Sequence, residues 1–152
     1  SRTIDGKVDG RAVNDSNATI DNSWKQNLVN SYGTSDYTRY AHFTSFKGSD
    51  GIYVAAKART INYRTTYTNI WENTNVEINI IGANNAVNRI FFAANGKCGV
   101  ADGGGNLTNT SGFKQAWTYY RDVDGYYVIT LEGLIPYSAI LSSLYKVKLT
   151  YG

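Results

Sequence analysis

An alternation of apolar and polar residues with a period of two constrains the fold of this chain more than any other feature of its sequence. The clearest run is Ile52–Arg59, in which every second residue is apolar and Tyr53, Lys57 and Arg59 fall on the opposite face. Alternation carried by β-branched and aromatic residues is typical of a strand that packs one face against a core.

Two more runs follow the same pattern. Val76–Ile80 directs its valine and isoleucines to the core and turns Glu77 and Asn79 to the opposite face. In the run Arg89–Ala94, the arginine falls on the face opposite the Ile and Phe at positions 90 and 92. Further strands are predicted for 37–46, 116–121, 126–132 and 145–151.

The segments between these runs carry turn signals. Gly, Asn and Asp separate the predicted strands, as in Asn95-Gly96 and Asp122–Gly125. Helix signals are confined to Pro136–Leu141, where the single proline suits the first position of one helical turn. The Gly-, Asn- and Thr-rich segment 95–112 is predicted to be one long loop. The pattern indicates a single all-β domain over residues 1–152, an antiparallel, jelly-roll-like β-sandwich.

Composition limits the chemistry that such a domain could carry. The chain has 152 residues, a formal net charge of +3, one Cys, one His and no Met. The single thiol, Cys98, cannot form an internal disulfide, and the single His42 excludes a multi-histidine metal centre. No apolar run approaches the ~20 residues of a membrane span. The dispersed Lys and Arg residues do not form the basic stripe of a nucleic-acid binder, and a start at Ser1 indicates a module excised from a larger protein.

Residues that would support catalysis are scarce. A glycosidase needs two carboxylates about 5–9.5 Å apart across the scissile bond. Most aspartates here precede glycine in turn contexts such as Asp50-Gly51 and Asp124-Gly125. The segment Gly103–Gly105 lacks the lysine and the helix of a phosphate-binding loop. We therefore expect a binding domain rather than an enzyme.

Aromatic side chains exceed what a core of this size needs. The chain has 3 Trp, 13 Tyr and 5 Phe, together with 16 Asn and 15 Thr. Sugar rings present C–H faces that pack on aromatic rings, and hydroxyls that Asn, Glu and Arg side chains can bind. The composition therefore favours a neutral carbohydrate ligand. The alternative is structural, because Tyr is also a good strand former, but Tyr63 and Tyr67 have polar neighbours that favour the surface.

Four segments in fixed order carry a resemblance to a known family. They are Ile4–Asp9 (IDGKVD), Asp50–Lys57 (DGIYVAAK), Trp71–Ile78 (WENTNVEI) and Glu132–Ala139 (EGLIPYSA). They resemble the IDG-x-x-D, DGLYVAA, W-x-x-x-x-VEI and E-x-x-IPYSAL segments of family 9-like carbohydrate-binding modules. The chain is also similar to the xylan-binding family 86 modules of gut bacterial xylanases. The resemblance implies a secreted or cell-surface β-sandwich attached to the catalytic domain of a bacterial glycoside hydrolase.

The resemblance also implies roles for particular residues. Trp71 corresponds to one wall of the family's aromatic clamp, and Glu77 to a carboxylate that binds sugar hydroxyls. The second clamp tryptophan lies nearer the family's C-terminus, where this chain has none after Trp117, so Trp117 is its substitute by elimination. Tyr119 shares the face of Trp117 on the predicted strand. The departure favours a cleft that grips the interior of a polysaccharide over a clamp for chain ends.

The role of Glu77 and Arg89 stays open between two interpretations. On neighbouring strands they would form either a pair that binds sugar hydroxyls or a structural ion pair.

Trp24 is expected to pack against the sandwich. Some relatives bind structural calcium, but no cluster of aspartates identifies a site here. The residues expected to contact ligand are Trp71, Glu77, Trp117, Arg89, Asn79, Tyr119, Tyr67, Tyr63 and Asn75.

The sequence therefore predicts a monomeric, non-catalytic module that binds plant cell-wall polysaccharide. Xylan is the first candidate ligand, and other β-glycans are the next candidates. Two other classes of protein remain as alternatives. A cell-surface adhesion or protein-interaction sandwich would use the tyrosines as a protein interface and expose a large apolar patch. A domain that binds single-stranded nucleic acid would show strongly salt-dependent binding, which the scattered charge disfavours.

Overall fold

The alternating runs of the sequence form strands of two sheets. The computed structural model describes residues 4–6, 28–30, 41–81, 87–140 and 146–151. Trp24, residues 37–40 of the predicted strand 37–46 and residue 145 of the predicted strand 145–151 lie outside these ranges. No helix within them is long and apolar enough to cross a membrane. The strands are β1 (Leu28–Asn30), β2 (Ala41–Lys47), β3 (Gly51–Thr60), β4 (Asn75–Ile81), β5 (Val87–Ala93), β6 (Cys98–Ala101), β7 (Leu107–Asn109), β8 (Lys114–Arg121), β9 (Tyr127–Pro136) and β10 (Lys146–Tyr151).

The described strands form a six-stranded and a four-stranded sheet. The first has the order β1-β10-β4-β5-β6-β7 and the second the order β2-β3-β9-β8. Neighbouring strands are antiparallel, except that β1 runs parallel to β10. The predicted all-β sandwich is confirmed, and the parallel pair at one edge is an addition to it.

The core lies between the two sheets and follows the alternation of the sequence. Ile52 on β3 and Leu131 on β9 meet Ile78 on β4 and Phe92 on β5, and each of these side chains is fully buried. Arg89 lies on the other side of β5, as its place in the alternation predicted. The outer face of the six-stranded sheet therefore carries polar side chains such as Arg89 beside a small second buried cluster formed by Ile70, Phe91, Ala93 and Ala101.

The segment 95–112 is not one long loop, so that prediction was wrong. Cys98–Ala101 pairs with β5, and Leu107–Asn109 pairs with β6. These strands have four and three residues, too few for a period of two to be visible, and each pairs with the strand that directly precedes it in the chain. Their pairing extends the six-stranded sheet and places the turn 102–106 at its end.

The single helical turn predicted near the proline is present. Tyr137–Ala139 forms a 3-10 turn, and Pro136 caps it from the end of β9 with an extended backbone (φ −66°, ψ 147°). The proline is therefore the N-cap, one position before the first helical residue, and not the first helical residue that the sequence predicted. Strand β9 continues four residues beyond Glu132 because Ile135 and Pro136 still pair with Ile52 and Gly51.

Residues 4–6 cover part of the outer face of the four-stranded sheet, at Tyr53 and Thr118. Ile4 packs against Tyr53, which is buried even though it points away from the core. The N–H of Asp5 donates to Glu132 Oε1 at 3.1 Å, and the Tyr53 hydroxyl donates to Oε2 of the same carboxylate. Burial raises the pKa of Glu132, although the bond from Tyr53 acts in the opposite direction.

Candidate ligand-binding site

The segment between β3 and β4 holds the backbone of Trp71 through two buried asparagines. Asn73 Nδ2 donates to the carbonyls of Tyr67 and Asn69 at 3.0 Å, and its Oδ1 accepts the N–H of Tyr67 at 3.0 Å. Asn75 Nδ2 donates to the carbonyl of Trp71 at 3.3 Å. Asn75, which the sequence placed among the ligand contacts, is thus buried and supports the segment from beneath.

The 3-10 turn Ile70–Glu72 sends two neighbouring side chains in different directions. Ile70 is buried against Phe91 and Ala101 on the outer face of the six-stranded sheet. Trp71 remains 36% exposed. Its indole ring lies against Gly105, where a Cβ atom would be 2.6 Å from the ring carbons Cε3 and Cζ3. Only glycine permits this approach, and its φ of +80° is also one that glycine adopts readily.

Trp71 lines a cleft of about 730 Å³. The opposite parts of the lining come from the turn before β6 and from the segment around β7. A volume of about 300–1,000 Å³ is usual for sites that hold small organic ligands. The polar side chains of the lining are those of Thr68, Asn69, Lys97, Asn106 and Thr110. The cleft therefore combines one aromatic wall with several hydrogen-bonding groups.

Glu77, Asn79 and Arg89 form a connected patch on the outer face of the six-stranded sheet. Glu77 Oε1 accepts from Arg89 Nε and Nη2 at 3.0 Å each, and its Oε2 accepts from Asn79 Nδ2 at 2.8 Å. Arg89 Nη1 donates to the carbonyls of Asp102 and Gly103 at 3.4 Å. The ion pair between Glu77 and Arg89, one of the two interpretations left open by the sequence, is formed. The bonds from Arg89 Nη1 connect this pair to the turn that carries Gly105.

The turn 102–106 is also closed from within. Asp102 Oδ1 accepts the backbone N–H groups of Gly104 and Asn106 at 2.9 Å each. The bonds from Asn106, the bond from Gly104 and the positive charge of Arg89 lower the pKa of Asp102. Because the carboxylate satisfies these donors, the turn presents Gly105 and Asn106 to the cleft in a fixed arrangement.

A second aromatic group lies on the core-facing side of β8, in the other sheet. Trp117 packs against the core, and its Nε1 donates to Gln115 Oε1 at 2.9 Å. Tyr119 is 53% exposed, and its ring centroid lies 4.2 Å from that of Tyr63 and 5.7 Å from that of Tyr127. Burial, followed by the proximity of Tyr119, raises the pKa of Tyr63. The rings of Tyr63, Tyr119 and Tyr127 form one cluster, in which the Tyr63–Tyr127 pair is stacked and the other two pairs are tilted.

The structure thus divides the expected ligand contacts between two places. Trp117 is not among the residues that line the Trp71 cleft, so the two tryptophans do not face each other across it. Of the nine expected contacts, only Trp71 lines the cleft. Asn75 supports the segment of Trp71 from beneath, Tyr67 is exposed on that segment, and the patch of Glu77, Asn79 and Arg89 lies beside the turn 102–106. The remaining three, Trp117, Tyr119 and Tyr63, lie at the four-stranded sheet.

Of the eleven described residues that line the cleft, sequence reasoning named only Trp71 as a ligand contact. Lys97, Gly105 and Asn106 all come from the segment that was assigned to a loop. The long run of Gly and Asn was the available signal, since such segments are often functional. Cys98 also lines the cleft, and burial raises the pKa of its thiol to about 11. In the described ranges, no group of three or more His, Cys, Asp or Glu residues could hold a metal ion.

Comparison with known proteins adds no relative to this description. The chain matches no family model, no curated protein and no solved structure.

Proposed function

We propose that this domain binds a plant cell-wall polysaccharide, with xylan the first candidate, and holds an attached secreted glycoside hydrolase on its substrate. The observation that carries the proposal is the half-exposed indole of Trp71, backed by Gly105 and set in a cleft with amide and hydroxyl side chains. A sugar ring would stack its C–H face on the indole, while Asn69, Asn106 and Thr68 bind its hydroxyls.

The rigidity of the cleft supports this proposal. Asn73 and Asn75 fix the backbone on one side of the indole, and the Asp102 carboxylate closes the turn on the other. A ring already held in place loses little conformational entropy when it binds a ligand. Aromatic stacking on nucleic-acid bases contributes about 1–3 kcal/mol per ring, and a sugar on Trp71 would gain a similar amount. Modest affinity of this kind becomes useful through the tethered enzyme.

A non-catalytic role is supported by the charges around the cleft. In the described part of the chain, no carboxylate lines it. Glu77 is paired with Arg89, and Asp102 accepts the backbone donors of its own turn. A glycosidase would need two carboxylates facing the scissile bond, so this arrangement suits recognition rather than hydrolysis.

The family resemblance agrees with the cleft in one respect. Trp71 stands at the position of a clamp tryptophan in the family 9-like modules, and it is the exposed tryptophan at which the cleft lies. The separate location of Trp117 favours a cleft open along its length, suited to the interior of a polysaccharide chain.

Affinity electrophoresis tests the proposal directly. The wild-type protein, Trp71→Ala and Tyr120→Ala would be run in gels containing xylan, mannan, β-glucan or starch. Tyr120 is the matched control, because it is 54% exposed but lies on the outer face of the other sheet. We expect xylan to retard the wild type and Tyr120→Ala, and to leave Trp71→Ala unretarded. Absence of retardation in every gel would overturn the function, and full retardation of Trp71→Ala would overturn the site.

A further inference from the structure

Lys97 is the one charged side chain among the described residues that line the Trp71 cleft. The other polar groups of the lining are amides and hydroxyls, and the thiol of Cys98 is protonated at neutral pH because its pKa is about 11. The charge that a ligand meets inside this cleft is therefore positive.

No carboxylate in the described ranges forms an ion pair with Lys97. The two carboxylates on the neighbouring segments have other partners. Glu72 accepts a hydrogen bond from Asn69 Nδ2, and Asp102 is held by its own turn and lies near Arg89. The ammonium group is thus available to a ligand without first breaking a contact within the protein.

The backbone of Lys97 is fixed at the rim of the cleft. Its carbonyl accepts the N–H of Ala93 at 2.9 Å, and its own N–H donates to Asn95 Oδ1 at 3.1 Å. Gly96, with a φ of +94°, completes this tight turn between β5 and β6. The side chain is exposed and starts from this fixed point, so its ammonium group can reach a ligand in the cleft.

We infer that the cleft selects polysaccharides that carry carboxylate groups, such as uronic acid side groups on a β-glycan backbone, and that Lys97 is the residue that selects them. This inference rests on the proposed function, because the indole and the amides are what would bind the sugar rings. An ammonium group attracts a carboxylate and gives an uncharged sugar no comparable preference. For an exposed pair we expect a preference of about two- to fivefold, which salt would weaken.

The test compares two forms of one polymer. Glucuronoxylan and the same preparation after chemical reduction of its carboxyl groups differ in charge but share their backbone. Binding of each would be measured by isothermal titration calorimetry at low and at high salt for the wild type, Lys97→Met and Lys114→Met. Lys114 is the control, because it is an exposed lysine on β8 outside the cleft and its replacement removes the same charge.

The expected result is that the wild type and Lys114→Met prefer the acidic polymer at low salt, and that Lys97→Met binds both forms equally. Equal binding of both polymers by the wild type would overturn the selection while leaving the proposed function intact. Retention of the preference by Lys97→Met would overturn the role of Lys97. Failure of the wild type to bind either polymer would overturn the proposed function, and the inference with it.

Discussion

The indole ring of Trp71 rests on Gly105, a residue thirty-four positions further along the chain, at a distance that leaves no room for a Cβ atom. This contact joins the segment before β4 to the turn between β6 and β7. It sets the orientation of the one aromatic wall of the cleft, so the geometry of the site depends on a glycine that touches a tryptophan.

Replacement of Gly105 by alanine is expected to weaken xylan binding about tenfold, which corresponds to about 1.4 kcal/mol. The new Cβ would lie 2.6 Å from the ring and would displace the indole. Gly125→Ala is the control, since its φ is +85° and the nearest atom to its Cβ is 4.0 Å away. Both variants should lower Tm through backbone strain, but only Gly105→Ala should lose affinity in calorimetry. Equal affinities would show that the glycine does not position the ring.

Arg89 is expected to act on binding through the turn 102–106. Arg89→Met removes the ion pair with Glu77 and the bonds to the carbonyls of Asp102 and Gly103. The partly exposed pair should contribute about 1 kcal/mol to the free energy of unfolding, measurable by denaturant titration. Affinity for xylan should also fall, and the loss should be less than additive with that of Trp71→Ala, because both act on one contact. Strict additivity in the double-mutant cycle would contradict this coupling.

Cys98 provides a probe of occupancy of the cleft. Burial raises the pKa of its thiol to about 11, so alkylation by iodoacetamide should be slow at pH 8 and should accelerate as the pH approaches that value. Soluble xylan should slow the reaction further by covering the cleft that Cys98 lines. Mass spectrometry gives the extent of alkylation without ambiguity, because the chain has one Cys. The prediction is wrong if xylan that retards the protein in a gel leaves the alkylation rate unchanged.

Glu132 should make the protein more stable as the pH falls from neutral towards its ordinary pKa. Burial raises the pKa of this carboxyl in the folded state, so the folded protein binds the proton more tightly than the unfolded chain does. The free energy of unfolding therefore rises on acidification as Glu132 takes up its proton, and this contribution falls again as the pH increases through the folded-state pKa.

The variant Glu132→Gln isolates that contribution, since it keeps the shape of the side chain and removes its titration. Asp102 and Asp122, whose pKa values are lowered, act in the opposite direction in both proteins and cancel in the comparison. As the pH falls from neutral towards the ordinary pKa of a glutamate, Tm of the wild type relative to the variant should rise in scanning calorimetry. Parallel Tm profiles for the two proteins would disprove the assignment.

The strands with clear alternation were predictable because burial on one face imposes its period on the residues. In β3, β4 and β5 each apolar residue of the pattern lies in the core, and Arg89 lies outside it. Alternation of apolar and polar residues predicts burial less well where both faces of a strand are covered. Tyr53 belongs to the outer face of β3 by alternation, yet it is buried because residues 4–6 cross that face. Contacts of such sequence separation leave no local signal.

The candidate site was predictable only in part. Trp71 was identified from its motif, and the pairing of Glu77 with Arg89 from the spacing of two neighbouring strands. The sequence could not show that Trp71 and Trp117 lie at different sheets. Pairing between residues that are distant in the chain decides which sheet a strand joins. It also assigned β6, β7 and the turn between them to a loop, although this segment supplies much of the cleft.

Strand alternation and composition are local properties, so they are enough to predict an all-β sandwich rich in aromatic side chains. The positions of the rings follow only from the folded chain: Trp71 lies on a cleft beside Gly105 and Lys97, and Tyr119 lies with Tyr63 at the other sheet. A cleft consists of residues that are distant in the chain, and only the pairing of strands brings them to one place.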